Sequence, residues 1–311
     1  MDRISRILVT SRPALLGAVV MLTLTSSVAA AKIGPRPSGY VSEIPSSARG
    51  AGPAASGACD REAQGRRTTR LGVPPLTECV PGIAGQAGPP AQALGATADV
   101  VASPQTARIG ALFGADRADN LAGGHLCTAS VVHSPRGNLI ATAAHCVSGT
   151  GSDLVFVPGY RDGHAPYGVW KLGHRYLPDG WTKDQDEDSD LAFAAVDDQD
   201  GKAIEGVVGA NRFTPGTATG ATPVTVIGYP DSREAPISCT NKPTAHSSTQ
   251  QRIDCPSFTI GTSGSPWING DGQVVGILGG YDEGGDTDDV SYSVTLGSQA
   301  ADLYKAAISN P

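Results

Sequence analysis

From Arg108 onward the sequence is a succession of short apolar runs broken by turn residues, and this texture constrains the fold more than any other feature. "RIGALF", "CTASVV", "NLIATAA", "DLVFVPGY", "GVWKLG", "LAFAAV", "VTVIGY", "QVVGILGG" and "VSYSVTL" are each strand-length and rich in Val, Ile, Leu and aromatic residues. Such side chains pack well on a pleated surface. The breaks between them, such as "SPRGN", "PGTATG" and "NGDGQ", hold the residues that turns require. Only Ser298–Ser309 has a helical pattern, with Ala301, Leu303, Tyr304, Ala307 and Ile308 along one side. Many short strands without interleaved helices predict an all-β sandwich or barrel followed by one helix.

The N-terminal third differs in character. Residues 1–31 have the layout of a cleaved secretory signal: three arginines between Asp2 and Arg12, an uncharged run from Pro13 to Val28, then the small residues Ala29, Ala30 and Ala31. Thr23, Thr25, Ser26 and Ser27 dilute the second half of that run, which favours export over a membrane anchor. No later segment is long and apolar enough to cross a bilayer, so no membrane partner is expected after signal removal. Residues 32–104 are rich in Ala, Gly, Pro and Ser with no strand or helix period, as in a linker or pro-region. The folded domain is expected over 105–311.

Export makes the six cysteines readable as disulfides. The shortest loops pair them in sequence: Cys59 with Cys79, Cys127 with Cys146, Cys239 with Cys255. None of these pairs has the spacing and neighbouring histidines of a zinc site. The acidic stretch from Asp184 to Asp190 lacks the glycine and terminal glutamate spacing of an EF-hand. No metal or cofactor is therefore expected. A net charge of -7 argues against nucleic acid or an anionic membrane as partner.

Three positions stand out as candidates for chemistry. His145, in "ATAAHCV", ends an apolar strand among small residues and beside a cysteine, a setting that pins the backbone and leaves the imidazole room to act as a base. Asp190 directly precedes "LAFAAV", where its carboxylate can hold a histidine in one tautomer; Asp188, in the same acidic loop, is the reserve. "FTIGTSGSPWI" offers Ser263 and Ser265, with Gly261 and Gly264 letting the backbone turn its N–H groups into a cleft. Chain order separates the serine-hydrolase folds. An α/β-hydrolase elbow needs glycine where Ser265 stands and a histidine after the serine, but His246 is the last histidine. A subtilisin-like order needs a helix where "SPWINGDGQ" places a proline and a tight turn. The order His, Asp, Ser remains, and His145, Asp190 and Ser263 fit it.

On these residues the sequence resembles the chymotrypsin/trypsin-like serine peptidases. "TAAHC", Thr142 to Cys146, matches the family's histidine motif, with Cys127 where that motif's partner cysteine belongs. "DLAF" resembles the acid motif, and "GTSGSPW" resembles the serine motif in the form used by secreted bacterial trypsin-like and glutamyl endopeptidases. The resemblance implies a double six-stranded β-barrel with the site between the barrels. It implies a secreted serine endopeptidase, expected as a monomer, that cleaves protein or peptide substrates through an acyl-enzyme. His145 is then the base, Asp190 its orienting acid and Ser263 the nucleophile. Gly261 and Ser263 supply the oxyanion-hole N–H groups, and Ser265 is structural. The specificity pocket is assigned to Ser257 at its floor and Leu278, Gly279, Gly280 and Tyr281 along its wall. That set implies an uncharged substrate side chain, with the acidic run Asp282 to Asp289 close by in sequence. Thr262 stands where trypsin-like zymogens carry the aspartate that pairs with a new N-terminus, so activation cannot use that ion pair. The alternative from another class is a catalytically silent secreted binding module on the same fold; the complete set of three groups favours the enzyme.

Overall fold

The computed structural model describes residues 93–149 and 153–309. Cys59 and Cys79, and the segment read as a secretion signal, lie outside the described residues. The chain runs from a short strand, β1 (Thr97–Asp99), into β2 (Ile109–Gly114), β3 (His125–Val132), β4 (Leu139–Thr142), β5 (Leu154–Pro158), β6 (Trp170–Tyr176) and β7 (Ala192–Val196). Strands β2 to β7 close into a barrel in the order β2-β3-β4-β7-β6-β5, every pairing antiparallel.

Side chains along a strand point alternately to its two faces, and here both faces are covered. Along β2, Ile109, Ala111 and Phe113 join one hydrophobic cluster and Leu112 another. Along β7, Phe193 joins the first and Ala192, Ala194 and Val196 the second. Burial on both sides explains why these strands read as continuous apolar runs rather than alternating ones.

The second half holds β8 (Arg212–Phe213), β9 (Val224–Gly228), β10 (Ile237–Asn241), β11 (Thr244–Ala245), β12 (Gln250–Asp254), β13 (Pro266–Asn269), β14 (Gln273–Ile277) and β15 (Val290–Val294). They form a six-stranded sheet, β1-β10-β9-β13-β14-β8, and a three-stranded sheet, β11-β12-β15. A bridge between Leu278 and Ser293 joins the two, and Ile277 N–H donates to Ser293 Oγ at 2.9 Å. Four α-helices and four short 3-10 turns complete the described chain, the α-helices being α1 (Ala144–Val147), α2 (Asp179–Asp184), α3 (Ile204–Val208) and α4 (Ser298–Ser309), the last as its pattern predicts. Tyr304 of α4 packs on Phe193 and Phe213, and its hydroxyl donates to His133 O at 2.6 Å, so the C-terminal helix grips the first barrel. Among the described residues no helix is long and apolar enough to cross a membrane.

Disulfides join Cys127 to Cys146 and Cys239 to Cys255, as the sequential pairing predicts. One strand lies ahead of the expected start of the domain at 105. β1 lies inside the segment read as linker or pro-region, yet it pairs with β10 in the register Thr97 to Cys239 and Asp99 to Ile237. Val100, only 8% exposed, belongs to the main core cluster. A three-residue strand is too short to show a period, so composition alone gave that stretch the look of a linker.

Candidate active site

The site begins where β4 ends. The chain turns through Ala143 into α1, whose second residue is His145. Cys146 is bonded to Cys127 of β3, which ties this turn to the barrel wall. Asp190 arrives from another direction, after a 3-10 turn at Glu187–Ser189 in which Asp186 accepts the Asp188 N–H. The Asp190 carboxylate is fully buried, which is costly unless its lone pairs are satisfied. Three donors satisfy it: His145 Nδ1 at 2.7 Å, the His145 backbone N–H at 3.0 Å and the Gly280 N–H at 2.8 Å. An ionised carboxylate only accepts, so Nδ1 carries the proton and the lone pair of the neutral ring sits on Nε2. Burial pulls the imidazole pKa down, but the hydrogen bond and charge of Asp190, helped by the charge of Glu283, outweigh it and hold His145 above its ordinary 6.5. Asp188, the reserve acid, is exposed and instead accepts from Gln250 Nε2 at 2.8 Å.

Three residues upstream of β13 lies Ser263, and the two serines of its loop differ sharply. Ser265 is fully buried and donates its hydroxyl to Thr262 O at 2.6 Å. Ser263 is partly exposed and lines a cleft of about 380 Å³ together with His145. Gly261 and Gly264 adopt φ of +92° and +85°, a region glycine enters without strain. A Cβ on Gly264 would lie 2.0 Å from Thr128 O. Backbone groups in such a turn must find partners or face solvent. Among the described residues, the N–H groups of Gly261 and Ser263 have no acceptor, whereas Thr262 N donates to Thr259 O and Gly264 N to Leu278 O.

Of the residues assigned to the pocket by sequence, one lines this cleft. Leu278 lines it; Ser257, Gly279, Gly280 and Tyr281 do not. Ser257 is exposed in a left-handed conformation with φ of 70°, and Phe258 takes the wall position beside it. Gly279 and Gly280 turn towards the acid: a Cβ on Gly279 would lie 2.6 Å from Asp190 Oδ2, and one on Gly280 2.3 Å from Gln250 Oε1. Tyr281 packs on His246 and Tyr292 instead. Asp282, Glu283, Asp286 and Asp288 line the cleft with Leu278, so the acidic run forms part of its wall. Leu126 and Ile260, both exposed and apolar, also line it.

Gln250 has no signal in the sequence yet joins two of these segments. Buried in β12, it donates from Nε2 to Asp188 Oδ1 and Glu187 O, and its Oε1 accepts the Tyr281 N–H at 3.3 Å. It thereby ties the acid's loop to the turn whose Gly280 N–H meets Asp190. Cys127, Cys146 and His145 lie close enough together to suit a metal, but the two sulfurs are joined in a disulfide and offer no thiolate.

A closed six-stranded barrel beside a second all-β half, with a buried His–Asp pair and a serine on one cleft, defines the chymotrypsin-like class of proteins. The comparisons agree. Residues 127–277 match the model of the trypsin-like peptidase domain. The protease Anisep from Arthrobacter nicotinovorans is 26% identical with a TM-score of 0.59, over 69% of this chain and 100% of that one. The thermostable serine protease AL20 from an extremophilic microorganism is also 26% identical, with a TM-score of 0.58 over 67% of this chain and 100% of that one. A Glu endopeptidase at 20% identity has a TM-score of 0.57, over 69% of this chain and 97% of that one, a likeness of fold alone. No curated protein matches the chain. Over residues 127–277 the chain matches a trypsin-like peptidase domain, and in fold it resembles the chymotrypsin/trypsin-like peptidases.

Proposed function

We propose that the protein is a secreted serine endopeptidase that works through a covalent acyl-enzyme. Ser263 Oγ attacks the carbonyl carbon of the scissile peptide bond while His145 Nε2 takes its proton. Asp190 keeps the imidazole in the required tautomer and stabilises the imidazolium that forms. The carbonyl oxygen becomes an oxyanion held by the N–H groups of Gly261 and Ser263. The C–N bond then breaks, and the imidazolium gives its proton to the departing amine. Water repeats the sequence on the ester: His145 takes its proton, the acid product leaves, and Ser263 recovers its hydroxyl proton.

The observation that carries this proposal is the one cleft lined by both Ser263 and His145, with the His145 Nδ1 already held by buried Asp190. Two disulfides suit an oxidising compartment, which supports export. Residues 1–31 serve as the signal in this reading, and the substrates are proteins or peptides met outside the cell. A fluorophosphonate probe, which phosphonylates an activated serine, tests the proposal. Ser263→Ala abolishes labelling and Ser265→Ala keeps it. Labelling that survives Ser263→Ala overturns the assignment.

A further inference from the structure

Trypsin-like zymogens carry an aspartate that pairs with a new N-terminus, but Thr262 stands in its place here and binds internally. Its hydroxyl donates to Thr259 O at 2.7 Å. The loop must therefore be held by something else, and its peptide groups can be accounted for one by one. Ile260 O accepts from Asp231 N at 2.8 Å, and Thr262 O accepts from Ser265 N and Oγ. Both remaining carbonyls go to one residue on the first barrel. Thr128 Oγ1 donates to Gly261 O at 3.0 Å, and Thr128 N donates to Ser263 O at 2.8 Å. Thr128 is fully buried in β3, and its hydroxyl also accepts the Tyr229 N–H at 2.9 Å, so its oxygen is oriented from both sides.

We propose that Thr128 is a positioning residue whose hydroxyl holds the oxyanion loop in its open form, so that this site forms without an ion pair to a freed N-terminus. With all four carbonyls from Ile260 to Ser263 paired, the N–H groups of this stretch left without an acceptor among the described residues are those of Gly261 and Ser263. The Gly261–Thr262 peptide links the two peptides that carry these N–H groups, and its rotation requires the Thr128 bond to break and leaves a buried carbonyl without a partner. The inference rests on the endopeptidase reading above.

The test measures the second-order rate of fluorophosphonate labelling of the full chain against pH. Thr128→Val keeps the shape and removes the hydroxyl; Thr128→Ser keeps the hydroxyl. We expect Thr128→Val to lower the plateau rate roughly 10- to 100-fold, approaching the loss of an oxyanion donor. Thr128→Ser restores most of it. The acid limb stays at its wild-type pH in both, because the His145–Asp190 pair is not touched. A wild-type rate in Thr128→Val, equal loss in Val and Ser, or a displaced acid limb overturns the proposal. A second measurement needs no substitution: acetylation of all amines removes the charge of any N-terminus, and the labelling rate should hold. A collapse in rate on acetylation also overturns it. Should Ser263→Ala still label, the endopeptidase reading itself fails; if Ser263→Ala is silent while Thr128→Val labels normally, only the role of Thr128 fails.

Discussion

At the scale of single residues, the proposed mechanism makes the His145–Asp190 pair set how activity follows pH. The base acts as neutral imidazole, so activity disappears as pH falls through its pKa. Because Asp190 and Glu283 hold that pKa above the ordinary 6.5, the acid limb of kcat/KM should sit above that value as well. Asp190→Asn removes the charge of the largest raising influence and leaves burial, which lowers, opposed by the smaller effect of Glu283. The limb should then move to lower pH while the plateau falls about 10⁴-fold, because the imidazole takes the wrong tautomer. A pH profile of Asp190→Asn with an unmoved limb would contradict this account. His145, Asp190 and Ser263 are legible in sequence because each is marked by its immediate neighbours: small residues and a cysteine, an apolar strand, a pair of glycines. Thr128 is not legible, because the group it holds, Gly261 O, lies 133 positions away. Gly280 meets Asp190 across 90 positions, and only the fold brings them together.

At the scale of elements, the loop from Gly261 to Gly264 is shaped by contacts that leave no room for side chains. Gly264→Ala would require a Cβ 2.0 Å from Thr128 O and 2.2 Å from Thr142 Oγ1, at φ of +85°. Both obstacles are rigid and buried, so the loop must move and probe labelling should drop by about 10²-fold or more; thermal melting of the variant separates this from global unfolding. The segment after β14 governs a different property. Its acidic residues Asp282, Glu283, Asp286 and Asp288 line the cleft with no lysine or arginine among the lining residues. Peptides with basic side chains should be cleaved roughly tenfold faster than acidic ones at low salt, and the gap should shrink as ionic strength rises. Equal rates for the two peptide sets at low salt would rule out a steering role for this wall. Alignment by offset from Ser263 places Ser257 at the pocket floor, but the offset carries no information about the left-handed turn that directs Ser257 to solvent.

At the scale of the whole molecule, strands far apart in sequence must be present together before the site can form. The all-β class is legible because strand-length runs and turn residues are local signals, and α4 because its helical period spans twelve residues. β1 is not, because it has three residues and its strand partner, β10, lies far away in the sequence. Two truncations measure what that strand contributes. A chain beginning at Ala93 keeps β1; one beginning at Gln105 loses it. The longer form retains the pairing of β1 with β10 and the buried Val100. It also retains the bond from Val100 N to Pro236 O at 3.1 Å, and that from Arg161 Nη2 to Val100 O at 2.7 Å. Burying one valine contributes about 1.5–3 kcal/mol, and each retained hydrogen bond about 1 kcal/mol. The sum over this segment is about 4 kcal/mol or more, which for a domain of this size corresponds to a melting temperature about 10 °C higher. Loss of β1 also uncovers the hydrogen-bonding edge of β10, a template for association between chains. The shorter chain should therefore melt earlier and aggregate on concentration, by calorimetry and light scattering respectively. If the two forms melt together and both stay monodisperse, β1 is an accessory to the domain rather than part of it.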